Sequence, residues 1–175
     1  MPEFKKVGKF IEFIPAAEDL KEASNRAAAL GVLPNSFTNG AGRMTGFLGE
    51  VAFERYYGNT TYKGDVSYTH DYVMNNKKVE VKSKTCLSRP KPDYVASVNG
   101  KQDKVFENDI FFFNRVSSSL SRVWMLGWIS RKSFFKHALF IKAGESADDG
   151  FTQRASGFHL PISKLRSPDS LIRPS

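Results

Sequence analysis

The sequence predicts an α/β (α+β) fold, a mixed central β-sheet flanked by helices, and three observations carry that expectation. Helix-forming patterns fill residues 16–30 and 43–57. Strand-like alternation and short apolar runs then dominate the middle of the chain, and one more helical stretch precedes a last strand. With 175 residues, 41% hydrophobic and 13% aromatic, the chain is long and apolar enough for one core, so residues 1–175 are expected to form one domain.

Residues 4–14 mix Phe, Val and Ile with lysines, so the first fifteen residues read as an edge strand or a terminal arm. AAEDLKEASNRAAAL places Leu20, Ala23, Ala27 and Leu30 on one helical face, with Gly31 as a stop. RMTGFLGEVAFERYY repeats the pattern with Met44, Phe47, Leu48 and Val51, and Gly58 ends it. Strands are expected within 62–84, at 94–98 and at 109–116, where DIFFFNRV suits a buried position beside VWMLGWIS. SRKSFFKHALFI reads as a helix, GESADDG as a loop and GFHLPIS as a last strand. Ser167-Pro168 supplies a cap and first position for a short closing helix.

Lysine and arginine outnumber the acids by 26 to 18, a formal charge of +8 that suits a polyanionic partner. Residues 110–142 hold Arg115, Arg122, Arg131, Lys132, Lys136 and Lys142 without an acid, which reads either as a basic patch or as solvated charges around an apolar strand and helix. Cys86 alone excludes an internal disulfide and a thiolate metal cluster, and fits a reducing compartment. The start of the chain lacks a secretory h-region and no apolar run reaches membrane-spanning length, so an intracellular protein is expected, cytoplasmic or nucleoid-associated and not secreted. His70, His137 and His159 lack metal-ligand spacing, and GAGR at 40–43 lacks the lysine of a nucleotide loop.

HDYVMNNKKVEVKSK, residues 70–84, carries the chemistry. Asn75-Asn76 tolerates the positive φ of a two-residue hairpin loop. Pairing Met74 with Lys77 then sets Asp71 opposite Glu80, with Tyr72, Met74, Val79 and Val81 on one face and Asp71, Glu80, Lys82 and Lys84 on the other. Facing carboxylates repel and need a counterion. Lys82 serves as one; alternatively, two carboxylates hold a hard divalent cation such as Mg²⁺ against a phosphate. An edge kept soluble by its charges explains the same residues without any site. Asp65 competes for the role of first acid but cannot face Glu80 in this register.

Asp71, the hairpin and Glu80-Val81-Lys82 resemble the core motif of the PD-(D/E)XK nuclease superfamily, the restriction-endonuclease-like fold, and Gly49-Glu50-Val51-Ala52 resembles its glutamate-bearing helix. His70 stands where the motif often has proline. The resemblance implies an αβββαβ core, metal binding by Asp71 and Glu80 with the Val81 carbonyl and Glu50 assisting, and a water oriented or activated by Lys82. It implies Mg²⁺, with Mn²⁺ as substitute, and DNA as substrate of an endonuclease. Wheel geometry turns Glu54 closer than Glu50 to the apolar stripe, so either glutamate can face the sheet. Lys84 and Arg43 are the candidate phosphate contacts. The alternatives are a non-catalytic basic nucleic-acid-binding module, or a nuclease for RNA or branched DNA; homodimerisation through the N-terminal arm is a further option.

Overall fold

The computed structural model describes residues 3–29, 41–58, 61–62, 70–100, 107–146 and 155–171. In chain order the elements are β1 (Glu3–Val7), β2 (Phe10–Ile14), α1 (Ala17–Ala29), α2 (Ala41–Tyr57), β3 (Thr61–Tyr62), β4 (Tyr72–Met74), β5 (Lys77–Cys86), β6 (Val95–Asn99), β7 (Ile110–Ser117), β8 (Val123–Ser130), α3 (Arg131–His137), β9 (Leu139–Ile141) and β10 (Gly157–Pro161). Single 3₁₀ turns follow at Ile162–Lys164 and Pro168–Ser170. The fold is mixed α/β. Seven strands form one sheet in the order β1-β2-β8-β7-β5-β4-β3, and β6-β10-β9 form a second. Within the large sheet only β5 and β7 run parallel. Among the described residues no helix is long and apolar enough to cross a membrane.

The β4–β5 hairpin follows the register its sequence predicts over three pairs, Met74 with Lys77, Val73 with Lys78 and Tyr72 with Val79, and stops before the expected Asp71–Glu80 pair. Asn75 and Asn76 sit at φ 50° and 61°, the double left-handed turn that matches strand twist. The N-terminal segment is an edge hairpin, with β2 paired to β8.

Two apolar clusters cover the two faces of the sheet. One joins Leu48, Val51, Ala52 and Phe53 of α2 to Tyr72, Met74, Val79, Val81 and Phe112. Phe53 is its hub, with ring centroids 4.6 Å from Tyr57, 4.9 Å from Tyr72 and 5.0 Å from Phe112. Burying one such ring contributes about 1.5–3 kcal/mol. The other cluster joins Cys86, Phe111, Phe113, Leu126 and Ile129 to Phe134 of α3 and to Val98 and Leu160 of the small sheet.

Gly49 sets how closely α2 approaches β5. A β-carbon there would stand 1.8 Å from Ser83 Oγ and 3.0 Å from Asn114 Nδ2, so only glycine fits. Around this contact the Asn114 amide donates to the Gly49 carbonyl (3.2 Å), and the Thr45 and Thr85 hydroxyls meet at 2.9 Å. α1 is fastened to α2 by charge: Arg55 reaches Asp19 (2.9 Å) and Glu22 (2.5 Å), and Arg26 reaches Glu22 (2.6 Å) and Glu54 (2.9 Å). Asp19 also accepts the Ala16 N–H (2.8 Å), closing the first turn of α1.

Two expectations change. The helix expected over SRKSFFKHALFI ends at His137, because residues 139–141 instead form β9 and pair with β10. The closing helix is a single 3₁₀ turn, and Ser167 precedes it without a side-chain capping bond. Leu30, Gly31, Asp65 and residues 59–60 lie outside the described residues.

Candidate active site

Strand β5 is ten residues long and β4 only three, so the ladder between them stops at the Tyr72–Val79 pair. Beyond that point Asp71 takes over. Its backbone N–H donates to the Val79 carbonyl (3.0 Å), which already faces Tyr72, and its carboxylate accepts the Val81 N–H (2.8 Å). Asp71 and Tyr72 thus both oppose Val79, in the manner of a bulge, so Asp71 does not stand opposite Glu80 as the alternation predicts, and a side-chain oxygen replaces the missing carbonyl rung. In a strand the N–H and C=O of one residue point to the same edge, so the Val81 carbonyl faces the edge at which the Asp71 carboxylate sits.

Glu80 is 5% exposed and follows Val79 on the face away from α2. Lys82 lies two residues further on, and its Nζ donates to Glu80 Oε1 at 2.7 Å. Burial, reinforced by the charge of Glu80, pushes the Asp71 carboxyl up to about 7; the Val81 N–H and the Lys82 charge pull the other way. Burial also raises the Glu80 carboxyl, opposed by the charge and hydrogen bond of Lys82. Asp71, Glu80 and Lys82 therefore form one electrostatic unit. Burial is the main reason Asp71 holds its proton up to about 7, and the Glu80 charge adds to it.

The other candidates are distributed around this unit. Lys84 is exposed, one further step along β5 and opposite Arg115 in the β7 register. Arg43 lies in the first turn of α2, and its Nε is enclosed without a hydrogen-bond partner. Glu50 sits 3.7 Å from Arg26 Nη1. Glu54 is held by Arg26 (2.9 Å) and by the Tyr72 hydroxyl (2.9 Å), which also donates to the Glu50 carbonyl (3.1 Å). Burial first, then the charges of Glu50 and Glu54, raise the Tyr72 phenol well above its ordinary value. Both glutamates thus face inward toward Tyr72 and Arg26. Glu54 is committed to an ion pair, as its place on the wheel suggested for its direction, and the charges that move Asp71 are those of Glu80 and Lys82.

Among the described residues no three His, Cys, Asp or Glu side chains converge as a ready-made metal cage. The donor set at this edge is two carboxylates and a main-chain carbonyl. That composition fits Mg²⁺, which takes one or two carboxylates and keeps most of its waters, and it does not fit a softer metal.

Sequence reasoning missed Arg26, which crosses from α1 to organise Glu50, Glu54 and Tyr72; the only sequence signal was a cation on the polar side of a predicted helix. The basic stretch 110–142 is not one surface. Arg115 is 7% exposed, donates to the Val95 carbonyl (2.6 Å) and lies over the Tyr94 ring. Arg122 is paired with the buried Glu12 (3.1 Å). His159 meets Ser97 Oγ (2.8 Å) and His137 the Ser133 carbonyl (2.9 Å), ordinary polar roles. Cys86 is buried, and burial raises its thiol pKa. Searches against protein-family models and against curated proteins match nothing.

Proposed function

We propose that this protein is a Mg²⁺-dependent nuclease with a restriction-endonuclease-like fold, hydrolysing DNA phosphodiesters as an endonuclease, with Mn²⁺ as an effective substitute. One observation carries the reading: the Asp71 carboxylate, just before β4, is held on the Val81 N–H next to the buried Glu80, while a lysine is already bonded to Glu80. The Val81 N–H accounts for one oxygen of Asp71, and two buried carboxylates beside a lysine, with a main-chain carbonyl at the same edge, suit a divalent cation. The order of α2, β3, β4 and β5, with β7 parallel to β5, supports the αβββαβ reading. Among the described residues the interval between β5 and β7 holds β6 and no helix, with residues 101–106 outside them.

In this reading Asp71, Glu80 and the Val81 carbonyl hold the cation; Glu50, beside Arg26 and Tyr72 on the α2 side of the sheet, is not brought to them and drops out of the ligand set. When bound, a divalent cation polarises a phosphate oxygen and lowers the pKa of water. The Val81 N–H fixes the Asp71 carboxylate so that its orientation is set before substrate arrives. Lys82, released from Glu80, holds the attacking water or takes its proton. Lys84 and Arg43 contact neighbouring phosphates.

Isothermal titration with Mg²⁺ and Mn²⁺ in buffers of different ionisation enthalpy tests the site. Binding should release close to one proton at pH 6.5, fall toward none at pH 9, and disappear in Asp71→Asn. Incubation with linear, nicked, single-stranded and four-way DNA, and with RNA, then identifies the substrate. The second reading, a non-catalytic basic nucleic-acid-binding module, expects salt-sensitive binding and no cation site that Asp71→Asn removes.

A further inference from the structure

A second cleft, of about 590 Å³, opens at the end of β8 against α3 and the first 3₁₀ turn. Ile129 and Leu160 give it an apolar floor, Trp128 one wall, and His137, Lys164 and Arg166 its polar rim; no carboxylate lines it among the described residues. Arg26, Arg55, Arg122, Lys6, Lys78 and Lys82 each have an acid within 4 Å, whereas Lys164 and Arg166 have none among the described residues. Asp169, the acid of the closing turn, is already taken by Lys6 (3.1 Å) and the Tyr56 hydroxyl.

The cleft is also rigidly built. Trp128 and Arg166 exchange two backbone hydrogen bonds (3.0 and 2.8 Å), so the turn is added to the free edge of β8 as a one-residue strand. Gly127 permits this approach: a β-carbon there would stand 2.0 Å from the Arg166 carbonyl oxygen. The Arg166 guanidinium lies 5.1 Å above the Trp128 ring, and the indole N–H is held by Ser170 Oγ at 3.0 Å. Unneutralised cations over an aromatic and apolar floor match a ligand with a phosphate at one end and a flat apolar body at the other.

We infer that this cleft binds a nucleotide of the nucleic-acid strand that flanks the cleavage site, its phosphate on Lys164 and Arg166 and its base or sugar against Trp128 and Ile129. The choice of nucleic acid rests on the nuclease reading; the cleft's charge and shape do not. Cross-strand pairing sets Glu80, Phe111 and Ile129 in one row, two strand spacings or about 10 Å. That span is about three nucleotides at the roughly 3.4 Å rise of a duplex strand.

Trp128 makes the test direct, because the other tryptophan, Trp124, is only 5% exposed. The full chain is titrated in EDTA with a 5′-phosphorylated thymidine pentanucleotide while tryptophan fluorescence is followed. Saturable quenching that weakens with salt is expected, with Lys164→Ala and Arg166→Gln each weakening it about fivefold or more at an unchanged melting temperature. Lys21→Ala, which removes an exposed cation of α1, should quench like the wild type. Equal binding by both cleft variants, or saturation by inorganic phosphate at the same concentration, overturns the inference. Because EDTA excludes cleavage, quenching without any Mn²⁺-dependent cleavage would remove the nuclease and keep the cleft, and cleavage with no cleft-dependent quenching would do the reverse.

Discussion

The two faces of β5 are built from alternate residues of one ten-residue strand, yet they follow opposite rules. Toward α2, Val79 and Val81 are packed, Ser83 touches Gly49 and Thr85 bonds Thr45, so the contacts are apolar or neutral and the helix lies close. On the other face Glu80 is buried as an acid and bonded to Lys82, whose charge also acts on Asp71. Interiors fill space and pair polar groups; the second face pairs its two carboxylates with one ammonium and one main-chain N–H, and under the proposed function that is where a cation would be added.

Exchanging the chemistry on each face separates fold from function. The largest effect is expected from Lys82→Ala, which should abolish measurable cleavage, a loss of at least about 10³-fold, while circular dichroism and melting temperature stay close to wild type. Full activity in that variant would remove Lys82 from the mechanism. Gly49→Ala acts on the opposite face. Its methyl must displace Ser83, and overpacking of this kind costs about 1–3 kcal/mol, a fall of several degrees in Tm by calorimetry.

A third effect separates the faces by pH. The unfolded chain releases the Asp71 proton near pH 4, the folded chain only near 7. Between those values the folded state binds more protons, so the stability contributed by this acid falls as pH rises from about 4 to about 7. Denaturant melts without metal should show that decline, Asp71→Asn should flatten it, and Mn²⁺ should raise Tm more at pH 7.5 than at pH 5. The smallest effect belongs to Lys84→Ala: an exposed phosphate contact should raise KM a few-fold and reduce the salt dependence of DNA binding by about one counterion, leaving kcat nearly unchanged.

The hairpin was legible because its information is local: Asn75-Asn76 dictates the turn, and strict alternation dictates which side chains share a face. The same local logic placed Gly58 beyond the end of α2 and turned Glu54 inward. It failed where the deciding partner is distant in sequence. FFKHALFI continues a helical pattern, but pairing with β10 withdraws residues 139–141 into a strand. Arg115 reads as a surface charge until β6 supplies the Val95 carbonyl. The β8 cleft was invisible for the same reason, since Trp128 and Arg166 lie far apart in the chain and meet only through an isolated bridge. Whether Glu50 or Glu54 faces the acid pair was not decidable from the wheel, because both turn inward and Arg26 of another helix distributes them.

The carboxylate of Asp71 doubles as a rung of the sheet, and that dual duty constrains what evolution can place there. Asparagine would preserve the scaffold and lose the charge; glutamate would preserve the charge but overshoot the rung by a methylene. Under the proposed function drift at this codon is penalised on two independent counts, and even without any catalytic role the rung would favour a short hydrogen-bond acceptor at position 71.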